Sequence, residues 1–354
     1  MKTTLSSLIE GSKGAYEADS LIQANQNHEV ADTMVAYMGD SEVVGTGATV
    51  GSNDAAAQAG GILSKAGFPV TDGVIMCYDH NKGDGIKNTD SRMTTTGTWT
   101  VGGLAKSAPL DYQYHIAAKA SGASIKFSFS KPCARFELYV FGNSGPYTYS
   151  VDGGSAVEGK PNGNSELEVI SIPAGAMGKH TLTVTVSSTK TVYVMGARAF
   201  HWASVEVSKI GFWGARAVAG LPRTWWNIPE WFKAVKPEAL ILQYGTNEAL
   251  HGGYTTAQYK GMMSKVVRTA RQASPGIDIY MMSSIQPNVS DSTWDTWRNA
   301  QYDVADENGI RLADMTAKVG HKSEASGLYS DATHPNVTGY GHQAELVANL
   351  IRSK

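Results

Sequence analysis

The chain has 354 residues, of which 42% are hydrophobic and 18% charged, with a formal net charge of −2. That length accommodates two domains, and the near-neutral balance gives no electrostatic reason to expect nucleic acid or an anionic membrane as partner. No apolar run reaches the roughly 18 residues of a transmembrane helix.

Residues 1–32 are polar and weakly patterned. They read as a helical or extended lead-in, the stub of a larger protein, and Met1 to Glu10 lacks the long apolar stretch of a signal peptide. The apolar run Met34 to Met38 predicts a first strand over 34–40, followed by a Gly-rich turn. Asp54 to Lys65 predicts a helix capped by Ser52 or Asn53. Its alanines favour helix and Gly60-Gly61 weaken it.

From about 85 to 205 the texture changes. Short alternating runs fall at 124–129, 135–141, 147–151, 167–170, 180–186 and 192–200. Turn clusters such as Asp152-Gly153-Gly154 and Pro161 to Asn164 separate them. Many short strands at near-regular spacing predict an antiparallel sandwich or jelly roll. After 205, helices are predicted over 225–236, 256–274, 292–308 and 339–352, alternating with strands over 240–244, 278–283 and 310–314. Such alternation implies a parallel sheet with helices on both faces and ligands at the C-terminal strand ends. The expected division is therefore an α/β domain made of 33–84 and 206–354, with residues 85–205 inserted as a β-sandwich.

Two distant segments carry chemistry. A serine hydroxyl is a poor nucleophile at neutral pH. It needs a base within hydrogen-bond reach, and the base needs a partner that fixes its tautomer. Asp331-Ala332-Thr333-His334 supplies base and orienter from one short loop. Gly39-Asp40-Ser41, at the end of the first strand, mounts a serine where a nucleophile would sit.

These two segments resemble the SGNH (GDSL-type) hydrolase family, which carries its nucleophile in G-D-S after the first strand and its acid and base in a late D-x-x-H. Gly245-Thr246-Asn247-Glu248, after an apolar strand, is similar to the family's G-x-N-D block. The segment Ile210 to Arg216 is similar to its glycine block, with Gly214 as the match. The resemblance covers about residues 33–65 and 205–352. It departs from the family pattern at Glu42, which follows the serine where Leu is usual, and at Glu248, which replaces Asp.

The resemblance implies a three-layer α/β/α fold and a carboxylic ester hydrolase. It implies Ser41 as nucleophile, His334 as base and Asp331 as orienter. The backbone amides of Ser41 and Gly214 and the side-chain amide of Asn247 would form the oxyanion hole. Within that class the inserted module resembles the accessory sandwiches of carbohydrate O-acetyl esterases. The Gly- and Thr-rich chain also resembles the esterase parts of phage tail spikes. The expected activity is thus removal of O-acetyl groups from a carbohydrate or polysaccharide. The location is left open, a virion tail or another extracellular setting being compatible, with a homo-oligomer or a larger tail protein as the expected assembly. The alternatives are an esterase or thioesterase for small acyl substrates and a non-catalytic glycan-binding adhesin.

Glu42 and Glu248, flanking the site, are expected to point away from a developing oxyanion. Glu248, Arg216 and Trp213 are the residues expected to contact substrate. Trp99, Trp202, Trp225, Trp226 and Trp231 are further aromatic faces on which sugar rings could stack. Cys77 and Cys133 form neither a disulfide framework nor a metal pattern. His80, His201, His251 and His321 lack paired ligand spacing, so no metal and no cofactor are expected.

Overall fold

The computed structural model describes residues 33–48, 53–77, 90–102, 115–164, 166–200, 204–211, 214–217, 232 and 235–352. The lead-in and most of the helix expected at 225–236 lie outside the described residues.

Five parallel strands form one sheet: β1 (Thr33–Gly39), β2 (Val205–Gly211), β3 (Ala239–Gln243), β4 (Asp278–Met282) and β5 (Arg311–Ala313). Their order is β2-β1-β3-β4-β5, the doubly wound arrangement whose crevice lies where the chain switches direction, between β1 and β3. The helices are α1 (Ser41–Val44), α2 (Ala55–Lys65), α3 (Thr246–His251), α4 (Thr256–Ala273), α5 (Asp291–Asn308), α6 (Met315–Val319) and α7 (Val337–Arg352).

Every residue of β1 is buried, so its side chains feed two cores at period two. Met34, Ala36 and Met38 join Leu240 and Leu242 under α4 and α5. Val35 and Tyr37 join Ile241 under α2 and α7. The result is the three-layer α/β/α architecture.

Sequence patterning does not single out β2 as a strand, because Glu206, Ser208 and Lys209 interrupt its apolar run. All seven of its residues are nevertheless buried. Burial is tolerated because the charges are matched: Arg198 Nε lies 2.9 Å from Glu206, and Lys209 Nζ 2.8 Å from Asp54. Helix ends follow local chemistry. Asp54, rather than Ser52 or Asn53, caps α2 by accepting from Ala57 N at 3.0 Å. Thr255 and Gln258 form a capping box at α4, and Gly309 ends α5 in the left-handed region.

The middle of the chain forms two antiparallel sheets. One has the order Leu167–Gly178, Cys133–Phe141, Val192–Phe200, His115–Ala118, Thr100–Gly102. The other has the order Met93–Thr96, Ser124–Ser128, Thr181–Val186, Tyr147–Val151, Val157–Gly159. They share a core that includes Phe136, Leu138 and Val140 from the first and Ile125, Phe127 and Val184 from the second, which is sandwich packing.

Two features go beyond the pattern reading. Ile75–Met76, ahead of residue 85, pairs antiparallel with Ala197 and Gly196, so this sheet recruits a segment from the α/β side. The outer face of the same sheet gives Tyr139, Phe141 and Met195 to the core that holds Met34 and Leu240. The sandwich is therefore packed into the α/β domain.

The tightest point is the end of β1. Gly39 pairs with Gly211 on one side and Gln243 on the other. A Cβ on Gly39 would collide with the Gln243 carbonyl and with Val43 of α1. Gly39→Ala should therefore lower stability by about 1–3 kcal/mol through overpacking. Urea unfolding would register this as a lower midpoint at unchanged slope, and wild-type stability would contradict the packing.

Candidate active site

Ser41 is the first residue of α1, directly beyond β1. Asp40 caps that one-turn helix by accepting from Glu42 N at 3.0 Å, and Gly45 ends it with φ 102°. The serine is held at the strand-to-helix corner with 4% of its surface exposed.

His334 arrives from the far end of the chain. Its loop is folded back on itself: Ser330 N donates to His334 O at 2.9 Å, and Asn336 N to Leu328 O at 2.8 Å. The loop rests against the turn after α1. There Gly47, at φ 97°, approaches Ser330 and the Pro335 carbonyl so closely that a Cβ would collide with both. Tyr340 of α7 donates to Thr46 O at 2.7 Å and fastens the same junction.

The outcome is a continuous chain of hydrogen bonds. Ser41 Oγ lies 3.0 Å from His334 Nε2, and His334 Nδ1 lies 2.7 Å from Asp331 Oδ2. The other Asp331 oxygen accepts from the amides of Thr333 and His334, each at 2.7 Å. Burial works against ionisation of Asp331, but these bonds outweigh it and hold its carboxyl below the usual value. With Nδ1–H directed at Asp331, Nε2 is left as the acceptor for the serine proton. The arrangement can therefore deprotonate Ser41 as it attacks an electrophile.

Asn247, in α3 directly beyond β3, links the remaining segments. Its Nδ2 donates to the Ala215 carbonyl at 2.9 Å and to Asp40 Oδ2 at 3.3 Å. One amide thus ties the residue before Ser41 to the residue after Gly214. Gly214 itself is exposed with φ 68°.

The two glutamates flanking the site are fully buried. Glu42 accepts from Gln243 Nε2 at 3.0 Å, Thr246 Oγ1 at 3.1 Å and Gln343 Nε2 at 2.5 Å. Glu248 accepts from Ala217 N at 2.5 Å. The expected contact between Glu248 and substrate is therefore corrected: its carboxylate faces the 214–217 turn from inside the protein. Arg216 is half-buried with its guanidinium 5.6 Å from the Tyr254 ring centroid. Trp213 lies outside the described residues, as do Trp202, Trp225, Trp226 and Trp231. Trp99 is buried in the sandwich, its indole N–H donating to Thr96 O and Ser124 O at 3.0 and 3.1 Å. No cluster of His, Cys, Asp or Glu among the described residues could hold a metal.

The polar network beneath the serine was not read from the sequence. Gln243 carries a signal, being polar at the end of an apolar strand. Gln343, in the middle of α7, carries none.

The geometry and fold are similar to those of SGNH-type carboxylic ester hydrolases. Residues 194–342 match the GDSL-like lipase/acylhydrolase family. That span holds Gly214, Asn247, Asp331 and His334 and leaves Ser41 outside. Among solved structures, the chain is similar to a peptidoglycan O-acetylesterase, with 17% identity and a TM-score of 0.68 over 95% of this chain and 96% of that one. The likeness is one of fold. An active-site mutant of a family two carbohydrate esterase from Clostridium thermocellum aligns at 13% identity and a TM-score of 0.36, over 74% of this chain and 98% of that one. A family two carbohydrate esterase from Cellvibrio japonicus aligns at 12% identity and a TM-score of 0.35, over 74% and 95%. No curated protein matches the chain.

Asp40 supplies a pH test. Burial, reinforced by nearby Glu248, pushes its pKa up from 3.8 to about 7, against the bonds from Glu42 N and Asn247. Between those values the folded protein keeps a proton that the unfolded chain has released. Folding therefore binds protons in this window, and the stability linked to Asp40 falls as pH rises from about 4 to about 7, by up to about 1.4 kcal/mol per pH unit. Asp40→Asn keeps the cap but cannot titrate. Thermal unfolding at both ends of the window should show the variant gaining on the wild type as pH rises, and a constant difference would contradict the buried proton.

Proposed function

We propose that the chain is a serine esterase that removes O-acetyl groups from a carbohydrate polymer. The observation that carries this reading is the Ser41–His334–Asp331 chain of 3.0 and 2.7 Å contacts, lying in a parallel-sheet fold at the switch point where such sheets hold ligands.

In this reading Ser41 Oγ attacks the acetyl carbonyl carbon while its proton passes to His334 Nε2. Asp331 keeps the imidazole oriented and stabilises the imidazolium. The tetrahedral oxyanion is met by the amides of Ser41 and Gly214 and by Asn247 Nδ2, each donor being worth roughly 3–4 kcal/mol of barrier. The 3.3 Å bond from Asn247 to Asp40 is long for a charge-assisted bond. It is the one an oxyanion would replace, while the 2.9 Å bond to Ala215 O keeps the amide plane fixed. Collapse expels the sugar alkoxide, which takes the proton from His334. Water then attacks the acetyl-serine by the same route in reverse and releases acetate. Arg216, two residues beyond Gly214, would meet substrate hydroxyls.

The carbohydrate assignment draws on the likeness, over nearly the whole length of both chains, to a peptidoglycan O-acetylesterase. Its test is acetate release from a panel of acetylated polysaccharides. Release from none of them, with p-nitrophenyl acetate still hydrolysed, would point to a small-acyl esterase instead.

Ser41→Ala is expected to reduce hydrolysis of p-nitrophenyl acetate by at least about 10³-fold without unfolding the protein. Activity within tenfold of wild type would overturn the assignment. Asn247→Ala is expected to lower kcat by about 10²–10³ with KM little changed, because its donor acts on charge present only in the transition state. A change confined to KM would make Asn247 a substrate-binding residue.

A further inference from the structure

A cavity of about 390 Å³ lies between α2, the β2 edge and the adjoining turns of the sandwich, and none of Ser41, Asn247, Asp331 or His334 lines it. Junctions between domains are where small-molecule sites are commonly built, and the volume falls in the usual range.

Three features of its wall bear on what it could hold. The first is Gly60-Gly61 in the middle of α2, since glycine is the poorest helix former after proline. A Cβ on Gly60 would press on Val70 at 3.2 Å, so packing accounts for that glycine. A Cβ on Gly61 would meet nothing within 4 Å, so its absence only leaves the cavity wall open. The second is Thr71, a buried wall residue whose hydroxyl has no hydrogen-bond partner among the described residues.

The third is the distribution of charge. Lys209 is committed to Asp54 at 2.8 Å, and Arg92 to Asp90 at 2.7 Å. Asp72 is occupied by the Ser130 hydroxyl and the Lys131 amide, each at 2.8 Å. The exposed ammonium groups of Lys65 and Lys131 remain, and neither takes part in an ion pair among the described residues. The cavity thus offers two uncommitted cations at its rim, hydroxyls on its wall, and the apolar surfaces of Val70 and Val74.

We propose that this cavity is a second binding site, for a carboxylate-bearing sugar. Lys65 and Lys131 take the carboxylate, the wall hydroxyls meet the sugar hydroxyls, and the valines meet its C–H face. The choice of a sugar rests on the esterase reading. In a polymer such a residue would anchor the chain at a distance from the ester being cleaved.

The test uses full-length Ser41→Ala protein titrated with D-glucuronate, followed by amide chemical shifts. Saturable shifts at Gly60, Gly61 and Gly73 are expected, with a Kd on the order of 1 mM. Lys65→Glu combined with Lys131→Glu should weaken binding by at least about tenfold. Gly61→Phe, which fills the open space and is checked for wild-type unfolding temperature, should abolish it. Absence of saturable shifts at these glycines would overturn the proposal, and so would shifts that persist in Gly61→Phe. Equal binding of D-glucose would show that charge is not read, and equal binding of inorganic phosphate would show that the sugar is not. Either would overturn it. Because binding is read without turnover, failure of the esterase reading appears separately, as wild-type protein inert toward p-nitrophenyl acetate.

Discussion

β1 is hydrogen-bonded on both sides, to β2 and to β3, and the site exists because of that double pairing. It brings together the ends of three segments that are far apart in the chain. Each strand end delivers something: Ser41 from β1, the Gly214 turn from β2, Asn247 from β3. The close fit at Gly39 lets α1 start immediately against the sheet. The backbone of the serine is thereby held at the strand-to-helix corner.

Behind the serine lie three buried carboxylates, Asp40, Glu42 and Glu248. Burying charge is unfavourable unless donors compensate. Here the donors to Asp40 and Glu42 are amides and a hydroxyl, drawn from β3, α1, α3 and α7. Burial above all raises the pKa values of both, with repulsion from Glu248 adding at Asp40 and repulsion from Asp40 adding at Glu42. The network ties α1 to both helical layers and the sheet. Its price is a proton held in the interior near neutral pH. Glu248 faces the loop that carries Gly214, so the same buried cluster supports both sides of the proposed oxyanion hole.

The sandwich enters between β1 and β2 and shares a core with the domain it interrupts. Met34 of β1 and Met195 of the antiparallel sheet belong to one cluster. The family match begins at residue 194, in the last strand of the sandwich, and so omits the serine on the far side of the insertion. The pairing of β1 with β2 brings the two parts of the domain back together across the insertion.

Much of this was legible in the sequence, for local reasons. The period-two runs marked the antiparallel strands, the later alternation of helices and strands marked the parallel sheet, and Asp331 and His334, three residues apart, had to share one loop. Gly39-Asp40-Ser41 at the end of an apolar run placed a serine at a strand terminus. The rest depended on partners distant in the chain. β2 was hidden because Glu206 and Lys209 look like surface residues until Arg198 and Asp54 neutralise them. Ile75–Met76 acquires a strand partner only once Ala197 is folded beside it. Glu248 passed for a substrate ligand until burial turned it inward. Sequence alone determined which groups could do chemistry, because that is a property of side-chain type and short spacing. Tertiary structure decided which of them meet, because contacts between residues 41 and 334, or 40 and 247, arise only after burial has selected one register for the whole sheet.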